Sequence, residues 1–167
     1  MTGYPTVLFI SPKEKELGKL GSRDAHSVVE QLEKVFKEFA KDAANVNWAD
    51  SVEKAMESAE DQLIFVFFYN EKRGSRLMKS ITLENLKVMK ALGKGFIAVK
   101  VELDRKSDLA KEYRVSSAPS MLIIDKDGNK VGFATGAKKP KEAIRFLEKA
   151  KKTHAKAKAK VSKGSAY

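Results

Sequence analysis

The residues in this sequence that could do chemistry are few, and most of them are cations. Cysteine is absent, which excludes disulfides, thiolate metal sites and thiol nucleophiles together. His26 and His154 are the only histidines, too few and too scattered for a zinc site, so no metal centre is expected. Acid pairs such as Glu53/Glu57 and Glu102/Asp104 have no histidine partner and read as surface charges, and no catalytic residue is assigned. Two cationic groups remain. Arg73-Gly74-Ser75-Arg76, preceded by Lys72, falls where an apolar run gives way to a helix. Free backbone N–H groups and the helix dipole favour an anion at such a place, and two arginines strengthen that preference. Solvated arginines on an exposed turn would give the same letters. The second group lies between Lys149 and Tyr167, where seven lysines and no acid supply seven of the eleven net positive charges. It includes Lys151, Lys152, Lys156, Lys158, Lys160 and Lys163, with no aromatic residue between them. Specific single-strand binding is therefore not expected. Non-specific attraction to nucleic acid or an anionic surface is reasonable, and so is a helix extension that frays into a solvated tail.

The elements that must position these groups follow from hydrophobic patterning. Thr6–Ile10 and Glu16–Leu20 read as strands, and Asp24 as the N-cap of a helix over residues 25–40. Residues 41–47 look like a connector. Asp50 or Ser51 caps a helix carrying Val52, Ala55, Met56 and Ala59. Leu63–Tyr69 is continuously apolar, the pattern of a central strand buried on both faces. A helix is expected over about 75–92 with Leu77, Met78, Ile81, Leu86 and Met89 on its apolar side, closed by Gly93 and Gly95. A strand over 96–103 and a short helix over 108–113 follow. Ser120–Ile124 and Lys130–Ala134 form a hairpin around Asp127-Gly128. Pro140 opens the last helix, with Ala143, Ile144, Leu147 and Ala150 inward. Trp48, Phe65, Phe67 and Phe68, and Met56, Met78, Met89 and Met121, are assigned to the core. Leu63–Tyr69 is far too short to cross a bilayer, and no membrane span is expected. The first residues show no secretory signal pattern, which points to the cytoplasm. This alternation of helices and strands predicts parallel strands joined by right-handed crossovers, with an antiparallel hairpin at one edge.

That order, together with particular residues, resembles the thioredoxin superfamily over about residues 46–151. The residues that carry the resemblance are Trp48-Ala49-Asp50-Ser51 before the central strand, Phe65–Asn70 within it, and Val99–Asp104. Leu109–Val115, Ser117-Ala118-Pro119-Ser120 and Asp125–Gly128 continue it. The resemblance implies an α/β three-layer sandwich with a mixed central sheet, a cis proline at Pro119, and a Cys-x-x-Cys motif at positions 73–76. The departures bear on function. Arginine stands at both cysteine positions, and Phe67 stands where the family's buried acidic proton acceptor is found. Thiol–disulfide exchange requires a thiolate attacking a disulfide, and neither guanidinium nor the Ser75 hydroxyl can replace it.

The first 40 residues carry a second pattern. Tyr4-Pro5-Thr6-Val7-Leu8-Phe9-Ile10 resembles Ala118-Pro119-Ser120-Met121-Leu122-Ile123-Ile124, and Glu16-Leu17-Gly18 stands opposite Lys130-Val131-Gly132. Leu32-Glu33-Lys34 repeats Leu147-Glu148-Lys149. The expectation is a partial repeat over 1–41 (strand, hairpin, helix), a thioredoxin-like domain over 46–151 and a basic tail over 152–167. An incomplete unit with an apolar strand favours docking or a homodimer.

The resemblance also implies a peptide-holding groove between Arg73–Arg76 and the Ala118-Pro119 loop. The leading expectation is a redox-inactive binding module for an acidic peptide or other anion, without cofactor. The alternatives are an electrostatic tether acting through the tail and, more remotely, a glutathione-dependent enzyme.

Overall fold

A computed structural model describes residues 8–10, 16–19, 26, 28–30, 32–33 and 45–164. The chain divides into two compact units, Met1–Ala43 and Ala44–Tyr167. In the first, β1 (Leu8–Ile10) pairs antiparallel with β2 (Glu16–Lys19), and the described residues from 26 to 33 are helical. The Asp24 cap, residues 41–44 and residues 165–167 lie outside the described residues.

The second unit holds the larger sheet. Its elements are β3 (Asn47–Ala49), α1 (Val52–Ser58), β4 (Leu63–Tyr69), α2 (Arg73–Leu77), a π-helical turn (Met78–Thr82) and α3 (Leu86–Gly93). They continue with β5 (Phe96–Glu102), α4 (Asp108–Glu112), β6 (Ser120–Ile124), β7 (Lys130–Thr135) and α5 (Pro140–Gly164). The strand order is β3-β5-β4-β6-β7, parallel through the first three and antiparallel at β6 and β7. This is the thioredoxin-like mixed sheet that the sequence pattern implied.

Period-two alternation along β4 divides the core between the two faces of the sheet. Leu63, Phe65 and Phe67 pack with Met78, Leu92, Met121 and Leu147 on one face. Ile64, Val66 and Phe68 pack with Val52, Ala55, Tyr113 and Leu122 on the other. The six residues from Leu63 to Phe68 are all buried, and burial of each side chain stabilises by roughly 1.5–3 kcal/mol. Ser51 caps α1, its hydroxyl accepting from Lys54 N at 3.2 Å.

Three expectations need correction. Trp48 lies on the short edge strand β3, where it is 37% exposed with Lys100 Nζ 4.2 Å from its ring centroid, so it is not a core residue. Met56 and Met89 are only half-buried, unlike Met78 and Met121. The helix expected over 75–92 begins at Arg73 and is broken. Leu83 N donates to Met78 O in a π turn, and the Asn85 side chain then caps α3 by accepting from Lys87 N at 3.1 Å. An N-cap asparagine followed by an apolar run is the local signal for that restart.

The two hairpins share one pairing scheme. Leu8, Phe9 and Ile10 oppose Lys19, Gly18 and Glu16, with the register shift between Phe9 and Ile10. Leu122, Ile123 and Ile124 oppose Phe133, Gly132 and Lys130, with the shift between Ile123 and Ile124. In the alignment of the two segments the register shift therefore falls at the same step.

Candidate functional site

The candidate site is the turn after β4, where the chain must pass from a buried strand into α2. Asn70 organises it. Its side-chain oxygen accepts from Lys72 N at 3.1 Å and from the Ser75 hydroxyl at 2.9 Å, while its own N–H donates to Ser75 Oγ at 3.1 Å. Ser75 is 0% exposed and its hydroxyl is committed to this exchange. Of the four residues singled out at this turn, it is the one that holds the turn and offers nothing to a ligand. Arg73 and Arg76 are exposed, and neither has a carboxylate within ion-pairing distance among the described residues.

Gly74 brings the turn against the proline loop. A Cβ added there would lie 3.3 Å from Pro119 Cδ and 3.9 Å from Ala137 Cβ, so a larger residue would wedge the two walls apart. The Ala118–Pro119 bond is cis, Pro119 is buried and its carbonyl accepts from Gly136 N at 2.8 Å. Ala118 is half-buried, and no hydrogen bond among the described residues involves its backbone N–H or C=O. The structure thus brings Arg73, Gly74, Arg76, Ala118 and Pro119 to one end of the sheet.

Two apolar side chains flank the cations. Leu77 is 41% exposed and Ile81 57% exposed, although both were expected on the buried side. The informative signal was the spacing of Ser75, Met78 and Thr82, which are the buried residues of this segment. Leu77 and Ile81, four residues apart, stand on the neighbouring face. Lys79 Nζ lies 3.3 Å from the centroid of the Tyr69 ring at the end of β4. The Thr82 hydroxyl donates to Lys138 O at 2.6 Å, tying the π turn to the loop before α5.

Beneath the turn the surroundings are apolar. Phe67, Met78 and Met121 are essentially fully buried, and Phe67 stacks on Tyr69 with centroids 6.2 Å apart. Among the described residues the buried polar side chains are Ser75, Thr82 and Ser120, each with a hydrogen-bond partner. A buried proton acceptor, like a thiol, is therefore missing from this site. No group of metal-ligating side chains occurs among the described residues, and no helix there is long and apolar enough to cross a membrane.

The lysines expected in a tail sit on α5, which runs unbroken to Gly164. They do not share one environment. Lys151 is half-buried, its Nζ 5.0 Å from the Phe96 ring centroid, and burial, then the charge of Lys94, lowers its pKa. Lys158 is paired with Asp61, whose pKa is lowered first by that hydrogen bond and then by the charge. Lys152 and Lys156 are exposed, and positions 160 and 163 lie in the same helix.

Comparison with known proteins agrees with this geometry. Residues 48–151 match the family described as thioredoxin-like domain. A thioredoxin from Thermus thermophilus is 22% identical, with a TM-score of 0.54 over 62% of this chain and 85% of that one. A DsbH oxidoreductase is 18% identical, with a TM-score of 0.56 over 66% and 88%. The reduced C-terminal domain of DsbD from Neisseria meningitidis is 21% identical, with a TM-score of 0.50 over 62% and 98%. At these identities the likeness is one of fold. No curated protein sequence matches the chain.

Proposed function

Since the chain belongs to the thioredoxin-like domain family but has no cysteine to carry out thiol–disulfide exchange, we propose that it is a binding module using the family's groove for an extended acidic peptide. The observation that carries this reading is that, among the described residues, the backbone of Ala118 is unengaged and Arg73 and Arg76, at the same end of the sheet, have no carboxylate partner. An extended peptide could pair with that backbone as an added strand does, while its carboxylates meet Arg73 and Arg76. Leu77 and Ile81 add an apolar contact that a free inorganic anion could not use. Phe67 supports a non-redox role, because an apolar floor has no means of moving a proton.

The test is binding of a short peptide alternating Glu and Val, followed by fluorescence anisotropy. Arg73→Glu with Arg76→Glu should weaken it about tenfold or more, each rim charge affecting association rate and salt dependence. Replacing Glu by Gln in the peptide should do the same. Unchanged binding in both cases would remove the reading.

A further inference from the structure

The exposed face of α5 carries a second cationic array that no role at the groove explains. Lys141, Arg145, Lys149, Lys152 and Lys156 are all exposed. At 3.6 residues per turn they fall within about 80° of arc, in a row about 22 Å long. Positions 160 and 163 continue the same register as the helix runs on to Gly164, lengthening the row to about 33 Å. The exposed Glu148 borders the same surface as Arg145, Lys149, Lys152 and Lys156, but no carboxylate among the described residues forms an ion pair with any of the five side chains. The opposite face of the helix is occupied: Ala143, Leu147 and Ala150 are buried, Lys151 lies by Phe96, and Lys158 pairs with Asp61.

We propose that this face of α5 is a sequence-independent binding site for the phosphate backbone of double-stranded nucleic acid. A straight row of cations matches a linear polyanion, and each phosphate contact releases condensed counterions. As far as Lys151 the other face of the helix rests on the domain, so there the helix lies along the backbone and does not enter a groove, and base edges go unread. Lysine predominates, a compact charge that neutralises phosphate without bidentate selectivity. Beyond Leu147 the helix holds only alanine and one valine as apolar residues. A membrane-surface helix needs a bulky apolar face, and here that face is already spent in the core.

The experiment measures binding of the whole chain to a mixed-sequence DNA duplex across a salt series. Vesicles of phosphatidylserine in phosphatidylcholine form a parallel arm. Lys149→Gln, Lys152→Gln and Lys156→Gln together keep good helix formers and remove three charges. They should lower duplex affinity at least tenfold at low salt and reduce the slope of log K against log salt by roughly 2.7, at about 0.9 per phosphate contact. Lys87→Gln, Arg105→Gln and Lys106→Gln, exposed cations elsewhere, should leave the slope nearly unchanged. Circular dichroism checks that helix content is preserved. An unchanged slope in the first variant, equal losses in both, or tighter binding to vesicles than to duplex at the same salt would overturn the proposal.

Discussion

At the end of β4, two exposed arginines share one end of the sheet with the backbone of Ala118 and are followed by two exposed apolar side chains; on α5, a longer row of exposed cations has apolar side chains, the half-buried Phe133 and Phe146, beside it at Lys149. Both regions are basic, but their surroundings differ. The groove mixes charge, apolar surface and a free peptide unit at Ala118, a combination suited to a short chain of mixed chemistry. The α5 row offers mainly cations at regular spacing, with Glu148 among them, which suits a long anion of repeating chemistry. Net charge is thus a poor guide to a partner, and what lies beside each charge is a better one.

The largest expected effect comes from the core beneath the turn. Phe67→Ala should cost about 3–5 kcal/mol, the usual range for a large buried aromatic. The loss is read as a lower midpoint in chemical denaturation, and peptide binding should fall only as far as the folded fraction falls. Phe67→Asp should be worse, since a lone carboxylate would be buried among Phe65, Met78 and Met121 without a partner.

A cross-test sharpens the contrast between the two regions. Arg73→Glu with Arg76→Glu should weaken the Glu/Val peptide about tenfold, or roughly 1.4 kcal/mol, and leave the salt slope for duplex almost as it was. The three α5 substitutions should do the reverse. If either variant impaired both ligands equally, the two regions would be acting as one diffuse field.

A smaller effect separates scaffold from site. The Tyr113 hydroxyl donates to Gly128 O at 2.8 Å, and its pKa is raised to about 12, first by burial and then by the charge of Glu112. A raised pKa means that the folded state holds the proton where the unfolded chain, near 10, has lost it. Stability from this group is therefore complete below pH 10 and falls as pH rises toward 12. Tyr113→Phe should cost about 1 kcal/mol at neutral pH and flatten the decline in denaturation midpoint between pH 10 and 12. Neither binding activity should change at neutral pH.

The smallest change in stability is expected at the groove's apolar edge. Leu77→Ser with Ile81→Ser should stay within about 0.5 kcal/mol of the parent, as exposed substitutions usually do. Peptide affinity should nonetheless fall a few-fold while duplex binding holds. A marked loss of stability would mean that these side chains pack more than their exposure suggests.

Much of this architecture was legible in the residues. The unbroken apolar run at β4 and the Asp127-Gly128 turn carried the central strand and the edge hairpin. In the latter, Gly128 takes φ +81 and Asp125 accepts from Asp127 N and Asn129 N. Strand β3 was missed because it is three residues long on an edge, too short for a period to register, and that is why Trp48 was misplaced. The break within 73–93 was missed because period alone cannot distinguish one long helix from two short ones joined by a π turn. At the site, residue types pointed to the arginines but not to the exposure of Leu77 and Ile81, nor to the enclosure of Ser75 by Asn70. Those depend on which face of α2 the sheet covers, a tertiary fact. The lysines from 151 to 163 were read either as an anion-attracting tail or as a helix extension that frays, because composition counts lysines without assigning them to faces.

The most direct test of the groove reading is an amide chemical-shift map of the labelled chain, titrated with the Glu/Val peptide. The account predicts that the largest shifts fall at Ala118, at Arg73 through Leu77, and at Gly136, whose N–H is bonded to Pro119. Shifts confined to residues 145–163, with Ala118 unmoved, would contradict it.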